Sequence, residues 1–277
     1  MTKRFHALAL MAALLAMAVT ARAEPSADPR VADIVGAGKV RVGLHLPQFV
    51  KDPATGEIHG HGTGTVIVQI AKAFADHVGV KLELVGHRSP PVLVECLKAL
   101  DCDIGFLGYA PGRTTDVAYT EPHIMVPFTF MVPAGSLIRV VGDADKPGIR
   151  IAAVRSHTST MALGRFIKQA ETLQVEIPDE AFELVKAGKA DAFASPRPPL
   201  LEYATKLPGA RVLDDHYGAN LQALALSKEK TARLAYAREW VVAAKASGLI
   251  QRAIEKAGER GIEVAPVEIL TGSTPTR

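Results

Sequence analysis

Apolar and polar positions alternate with period two over Lys39 to Leu44, which predicts a strand. A loop rich in Pro, Gly and His follows, from Leu46 to Gly64. From Val66 the period changes: Val66, Ile67, Ile70, Ala71, Phe74 and Val78 fall on one helical face, and Gly79 closes the run. Lys81 to Val85 reads as a second strand. Val92, Leu93, Cys96, Leu97 and Leu100 mark another helix, with Pro90 and Pro91 at its start, and Cys102 to Leu107 is a third strand. This strand–helix–strand–helix–strand order predicts a mostly parallel sheet flanked by helices.

A second series of the same kind begins near Lys146. Ile149 to Val154 is apolar enough for a buried strand, and Ser156-His-Thr-Ser-Thr160 offers cap candidates for a helix reaching about Ala170. Ala181 to Ala187 is a helix closed by Gly188; Asp191 to Ala194, Arg211 to Leu213 and Leu221 to Leu226 are strands. Thr231 to Ser247 and Leu249 to Ala257 are helices, with Gly248 and Gly258 as stops. Two α/β units therefore stand in series.

The first 23 residues read differently. Lys3 and Arg4 precede an uncharged, mostly apolar run from Ala7 to Val19, and Ala21-Arg22-Ala23 fits a small-x-small cleavage site, so the segment reads as a secretory leader. The run is too short to span a bilayer core of ~30 Å as a helix. The chain of 277 residues carries a formal charge of +3; removing the leader removes Lys3, Arg4 and Arg22 and brings the formal charge to zero. A nucleic-acid partner thus has no electrostatic support. Two cysteines occur, Cys96 late on a helix and Cys102 at the start of the next strand. In an oxidising compartment they can pair, the alternative being two buried thiols. No metal site is expected, since His59 and His61 lack further ligands at suitable spacing. No cofactor is expected either: Gly60-His-Gly-Thr-Gly64 lies in a loop without the strand–turn–helix setting of a phosphate-binding motif.

Several segments in order resemble the periplasmic solute-binding proteins of family 3, the receptors that feed ABC importers for polar amino acids. They are Gly38-Lys-Val-Arg-Val-Gly43, Asp52-Pro-Ala-Thr-Gly-Glu57, Cys102-Asp-Ile-Gly-Phe106, Arg113 before Val117-Ala-Tyr-Thr-Glu-Pro122, Lys146-Pro-Gly-Ile-Arg-Ile151 and Ala187-Gly-Lys-Ala-Asp-Ala192. The resemblance implies an α/β fold of two lobes, each a mostly parallel sheet flanked by helices, joined by two crossing strands near Phe130 to Ala134 and Gly218 to Ala223. Lobe one would comprise residues 24–131 and the second part within 222–277, which also holds a C-terminal tail, and lobe two residues 132–221. It also implies a periplasmic monomer that hands a small solute to an inner-membrane ABC permease.

On this chain the resemblance makes Arg113 the grip on a ligand carboxylate, a task suited to the forked guanidinium. Gly108 and Tyr109 share its loop, although the stretch from Asp103 to Arg113 is two residues shorter than the family pattern. Ser156, His157 and Thr158 occupy the strand-to-helix turn of lobe two, where free N–H groups favour an anion. Phe49 is a candidate cover for the apolar part of the ligand, with packing onto lobe one as the alternative. Amino-acid receptors carry an Asp beyond the Asp191 segment to hold the ammonium; here the chain reads Phe193-Ala-Ser-Pro-Arg197, which leaves Ser195 and Arg197 as contact candidates. Either Asp214 or Asp215 substitutes, or the ligand is a small anion rather than a standard α-amino acid. The expected function is a non-catalytic receptor; the alternatives are a periplasmic dehydratase resembling cyclohexadienyl dehydratase, or an accessory protein to a dehydrogenase or membrane kinase.

Overall fold

The computed structural model describes residues 24–46 and 49–266; the expected leader lies outside them. In chain order the first elements are α1 (Ala32–Ala37), β1 (Lys39–His45), β2 (Phe49–Lys51), β3 (Ile58–Gly60), α2 (Thr63–Val78), β4 (Lys81–His87), α3 (Pro90–Lys98), β5 (Ile104–Gly108), β6 (Val117–Tyr119) and β7 (Ile124–Val132). There follow β8 (Arg150–Val154), α4 (Thr158–Phe166), β9 (Glu171–Val175), α5 (Pro178–Lys186), β10 (Ala192–Pro196), α6 (Arg197–Thr205) and β11 (Arg211–Val212). The last are β12 (Gly218–Ser227), α7 (Thr231–Ala246), α8 (Leu249–Ala257) and β13 (Glu263–Val264).

Two lobes share one continuous sheet in the order β4-β1-β5-β12-β7-β10-β8-β9. Lobe one carries the parallel strands β4, β1 and β5, and lobe two the parallel strands β10, β8 and β9. The strands β7 and β12 join them as an antiparallel pair, Ile124 to Phe128 against Gln222 to Gly218. All nine residues of β7 are buried; Thr129, the one hydroxyl among them, donates to the Asp215 carbonyl at 2.7 Å. Core membership changes along β7: Val126 packs in the core of lobe one, whereas Phe128 and Phe130 pack in that of lobe two. Phe130 stacks on Tyr217 with centroids 4.9 Å apart.

The face of α2 foreseen from its period is buried, and Gly79 ends the helix at φ 79°, its N–H bonding the Ala75 carbonyl at 2.9 Å. The helix expected from Ser156 to about Ala170 is shorter. Asp145 accepts the backbone N–H groups of Lys168, Gln169 and Ala170, and the chain then enters the parallel strand β9. The proline-rich stretch after Pro196 opens the helix α6, with proline in its first turn.

The two lobes repeat one ion pair. Arg41 gives its backbone N–H (2.8 Å) and its guanidinium (3.0 Å) to Asp103, and reaches the Leu100 carbonyl at 2.7 Å. Arg150 gives its backbone N–H (2.8 Å) and guanidinium (3.0 Å) to Asp191, and reaches the Gly188 carbonyl at 2.9 Å. Both acids sit at the entry to a central strand and lock it to its parallel neighbour. Hydrogen bonds from Arg150 hold the Asp191 carboxyl below the usual carboxylate range. Cys96 and Cys102 form a disulfide that closes the turn between α3 and β5.

Candidate functional site

A cleft of about 390 Å³ opens between the lobes where the strands end. Lobe one supplies His45 from the end of β1, Pro90 from the start of α3, and Phe106 to Ala110 with Arg113 from the end of β5 and its loop. The crossing strand β12 supplies Asn220 and Gln222, and lobe two supplies Thr158, the first residue of α4. This is the position expected of a ligand site in an open α/β sheet, beyond the carboxyl ends of its strands.

Arg113 ends a short turn, Pro111–Arg113, and its Nη1 donates to the Gly108 carbonyl at 2.9 Å. That bond steadies the side chain over the cleft floor while leaving its other guanidinium N–H groups for a ligand. Tyr109 packs edge-on against Tyr119 with centroids 5.3 Å apart. Burial, then the positive charge of Arg113, push the His45 imidazole down from its ordinary range, so it is neutral at neutral pH. The start of α4 carries no side-chain cap: His157 is the N-cap residue and makes no capping bond. The first N–H groups of α4 are therefore free to meet an anion.

Gly108, Tyr109, Arg113 and Thr158, singled out from the sequence, thus line one cleft. The other candidates do not line it in this structure. Phe49 is 5% exposed and packs in the core of lobe one. Ser195 is buried in β10 opposite Thr129 of β7. Arg197 turns away to Glu263 and to the Asp214 carbonyl. Ser156 and His157 are exposed beside Thr158, with Ser156 in the left-handed region at φ 61°. Asp214 is exposed, and Asp215 accepts the Val141 N–H at 2.8 Å; neither lines the cleft.

The sequence reading passed over Asn220 and Gln222. Their signal is a polar residue at every second position of an otherwise apolar strand, Asn220-Leu-Gln222, which puts both on one face. His87, Cys96 and Cys102 also lie close together, but the two sulfurs are bonded to each other and offer no thiolate to a metal.

No family model matches the chain. It is 26% identical over 196 residues to the glutamine-binding protein of Geobacillus stearothermophilus, covering 69% of this chain and 74% of that protein. It is 25% identical over 193 residues to the ABC transporter glutamine-binding protein of Bacillus subtilis, covering 67% and 70%. Among solved structures, an ancestral cationic amino acid solute-binding protein is 26% identical at TM-score 0.61, with 82% of this chain and 98% of that chain covered. An ancestral cyclohexadienyl dehydratase is 25% identical at TM-score 0.60, with 83% and 97% covered. Two lobes, two crossing strands and a cleft at the strand ends define a two-lobed solute-binding fold. In sequence and fold the chain is similar to the solute-binding proteins of family 3.

Proposed function

We propose that this chain is the extracytoplasmic receptor of an ABC importer and binds a small carboxylate-bearing solute, an amino acid or a related organic anion, in the cleft between its lobes. The observation that carries the reading is the convergence of Arg113 from lobe one and the uncapped start of α4 from lobe two on one cleft. A guanidinium fork and a helix N-terminus facing each other suit an anion held by both lobes, and closure of the lobes over it is the motion such a hinge permits. The glutamine-binding relatives support a receptor for amino-acid-like solutes. In this reading the leader is removed on export to the periplasm, the chain passes from lobe one to lobe two along β7 and returns along β12, and the receptor works as a monomer without catalysis. Its partner is an inner-membrane permease.

Titration calorimetry with amino acids and organic acids tests the reading. Binding of at least one carboxylate at one site per chain, weakened by Arg113→Ala, supports it; indifference to every acid tried opposes it. A dehydratase is the second reading, favoured by the ancestral dehydratase among the relatives. His45 is then the candidate base at the cleft. Conversion of a bound carboxylate to product on incubation would favour that reading.

A further inference from the structure

We infer that the amide pair Asn220 and Gln222 on the crossing strand sets the solute class: a carboxylate whose second polar group is neutral, a hydroxyl, oxo or amide group, rather than an ammonium. The inference rests on the receptor reading above and narrows it.

Gln222 is 4% exposed and lines the cleft, so the little of it that is open faces the site. A solute that closes off the cleft takes this amide out of water, so the solute must offer it a hydrogen-bond partner. Asn220 lies two residues away on the same face of β12 and also lines the cleft. Both side chains crowd Gly108, which pairs with Gln222 in register. A Cβ at residue 108 would stand 3.1 Å from Asn220 Oδ1 and 3.8 Å from Gln222 Nε2. The bare glycine therefore leaves room for the two amides beside the carbonyl that anchors Arg113, and one small molecule can meet amides and guanidinium together.

The charge balance argues against an ammonium. Among the described lining residues no carboxylate appears, and the formal charge belongs to Arg113. An ammonium there would be repelled by the guanidinium and would lose its hydration without a counter-charge. The acids at the hinge do not line the cleft: Asp215 accepts the Val141 N–H through Oδ2, and Glu263 pairs with Arg197. Backbone acceptors on the floor are already in use, Gly108 O by Arg113 and Leu221 O by the Tyr109 N–H at 2.7 Å. An amide, by contrast, both donates and accepts, and so matches a hydroxyl, an oxo group or another amide without any charge.

Matched pairs of acids test this by calorimetry: alanine against lactate, aspartate against malate, leucine against 2-hydroxyisocaproate. In the pair whose side chain fits, the hydroxy acid is expected to bind at least tenfold more tightly than the amino acid. Gln222→Glu, isosteric but charged, should shift that ratio at least tenfold toward the amino acid, with Asn220→Asp as a second variant and thermal unfolding as the check that each is folded. An amino acid bound as tightly as its hydroxy partner by the unaltered protein overturns the inference and leaves the receptor reading standing. A ratio unmoved in both folded variants overturns the assignment to the amides. Failure of every acid in the panel to bind overturns the receptor reading and this inference with it.

Discussion

Arg197 of lobe two forms an ion pair with Glu263 of β13, and so ties the end of β10 to the C-terminal strand along one edge of β7. β10 pairs with residues 128–131 of β7, and β13 with residues 124 and 125. The two strands meet nearly end to end on the hinge, and the ion pair bridges the gap. The Arg197 side chain is 12% exposed and also donates to the Asp214 carbonyl. Glu263→Gln should cost about 1 kcal/mol in thermal or chemical unfolding. Arg197→Ala should cost more, because the Asp214 carbonyl then loses its donor as well. Solute affinity should change less than threefold in either variant, since the pair lies outside the cleft; a loss comparable to that of an Arg113 variant would place Arg197 among the ligand contacts after all.

Arg113→Ala should weaken solute binding by roughly 10- to 100-fold, the worth of one charge-assisted hydrogen-bonding group. Arg113→Lys keeps the charge but loses the fork and should fall between the two. Melting temperatures without solute should stay close to that of the unaltered protein, because among the described residues the Arg113 side chain bonds only the Gly108 carbonyl. Calorimetry and thermal unfolding on the same preparations separate the two effects.

His123 is wholly buried at the start of β7, edge-on to Phe106, and neither ring nitrogen meets a partner among the described residues. Burial, with the Lys245 charge adding to it, pushes its imidazole down to about 3. The unfolded chain takes up this proton near pH 6.5 whereas the folded chain does not. Stability is therefore greatest above that pH and falls as the pH drops toward the folded value. Between pH 7 and pH 5 this one group should remove about 2 kcal/mol. Urea unfolding of the unaltered protein and of His123→Phe at the two pH values should show that loss only where the histidine is present; equal slopes would deny it the role.

The disulfide between Cys96 and Cys102 closes a short loop, with a sequence separation of 6. Loop-closure entropy for so short a segment is about 2 kcal/mol. The paired change Cys96→Ser and Cys102→Ser should lower stability by about that amount and leave solute affinity nearly unchanged, since neither residue lines the cleft. Parallel unfolding and binding curves decide it.

Much of this architecture is legible in the chain because its determinants are local. The switch from alternation at Lys39 to a helical face at Val66, closed by Gly79, fixes β1 and α2 without reference to anything distant. Arg113 and Thr158 are legible as cleft residues because each follows a strand, and strand ends meet at the cleft in this kind of sheet. What the local pattern does not carry is set by long-range partners. The helix at Thr158 stops at Phe166, and Asp145 captures the N–H groups of Lys168 to Ala170, which nothing near Lys168 announces. Phe49 reads equally well as a ligand cover or a core residue, and tertiary packing places it in the core. Asn220 and Gln222 look like interruptions of an apolar strand until β12 is seen to cross the hinge beside Gly108.

Native mass spectrometry of the protein purified without denaturation tests the central claim most directly, run beside Arg113→Ala prepared in the same way. The account predicts one small acid per chain on the unaltered protein, released on activation and absent or strongly depleted in the variant. An acid retained equally by both proteins, or a small molecule bearing no acidic group, would contradict it.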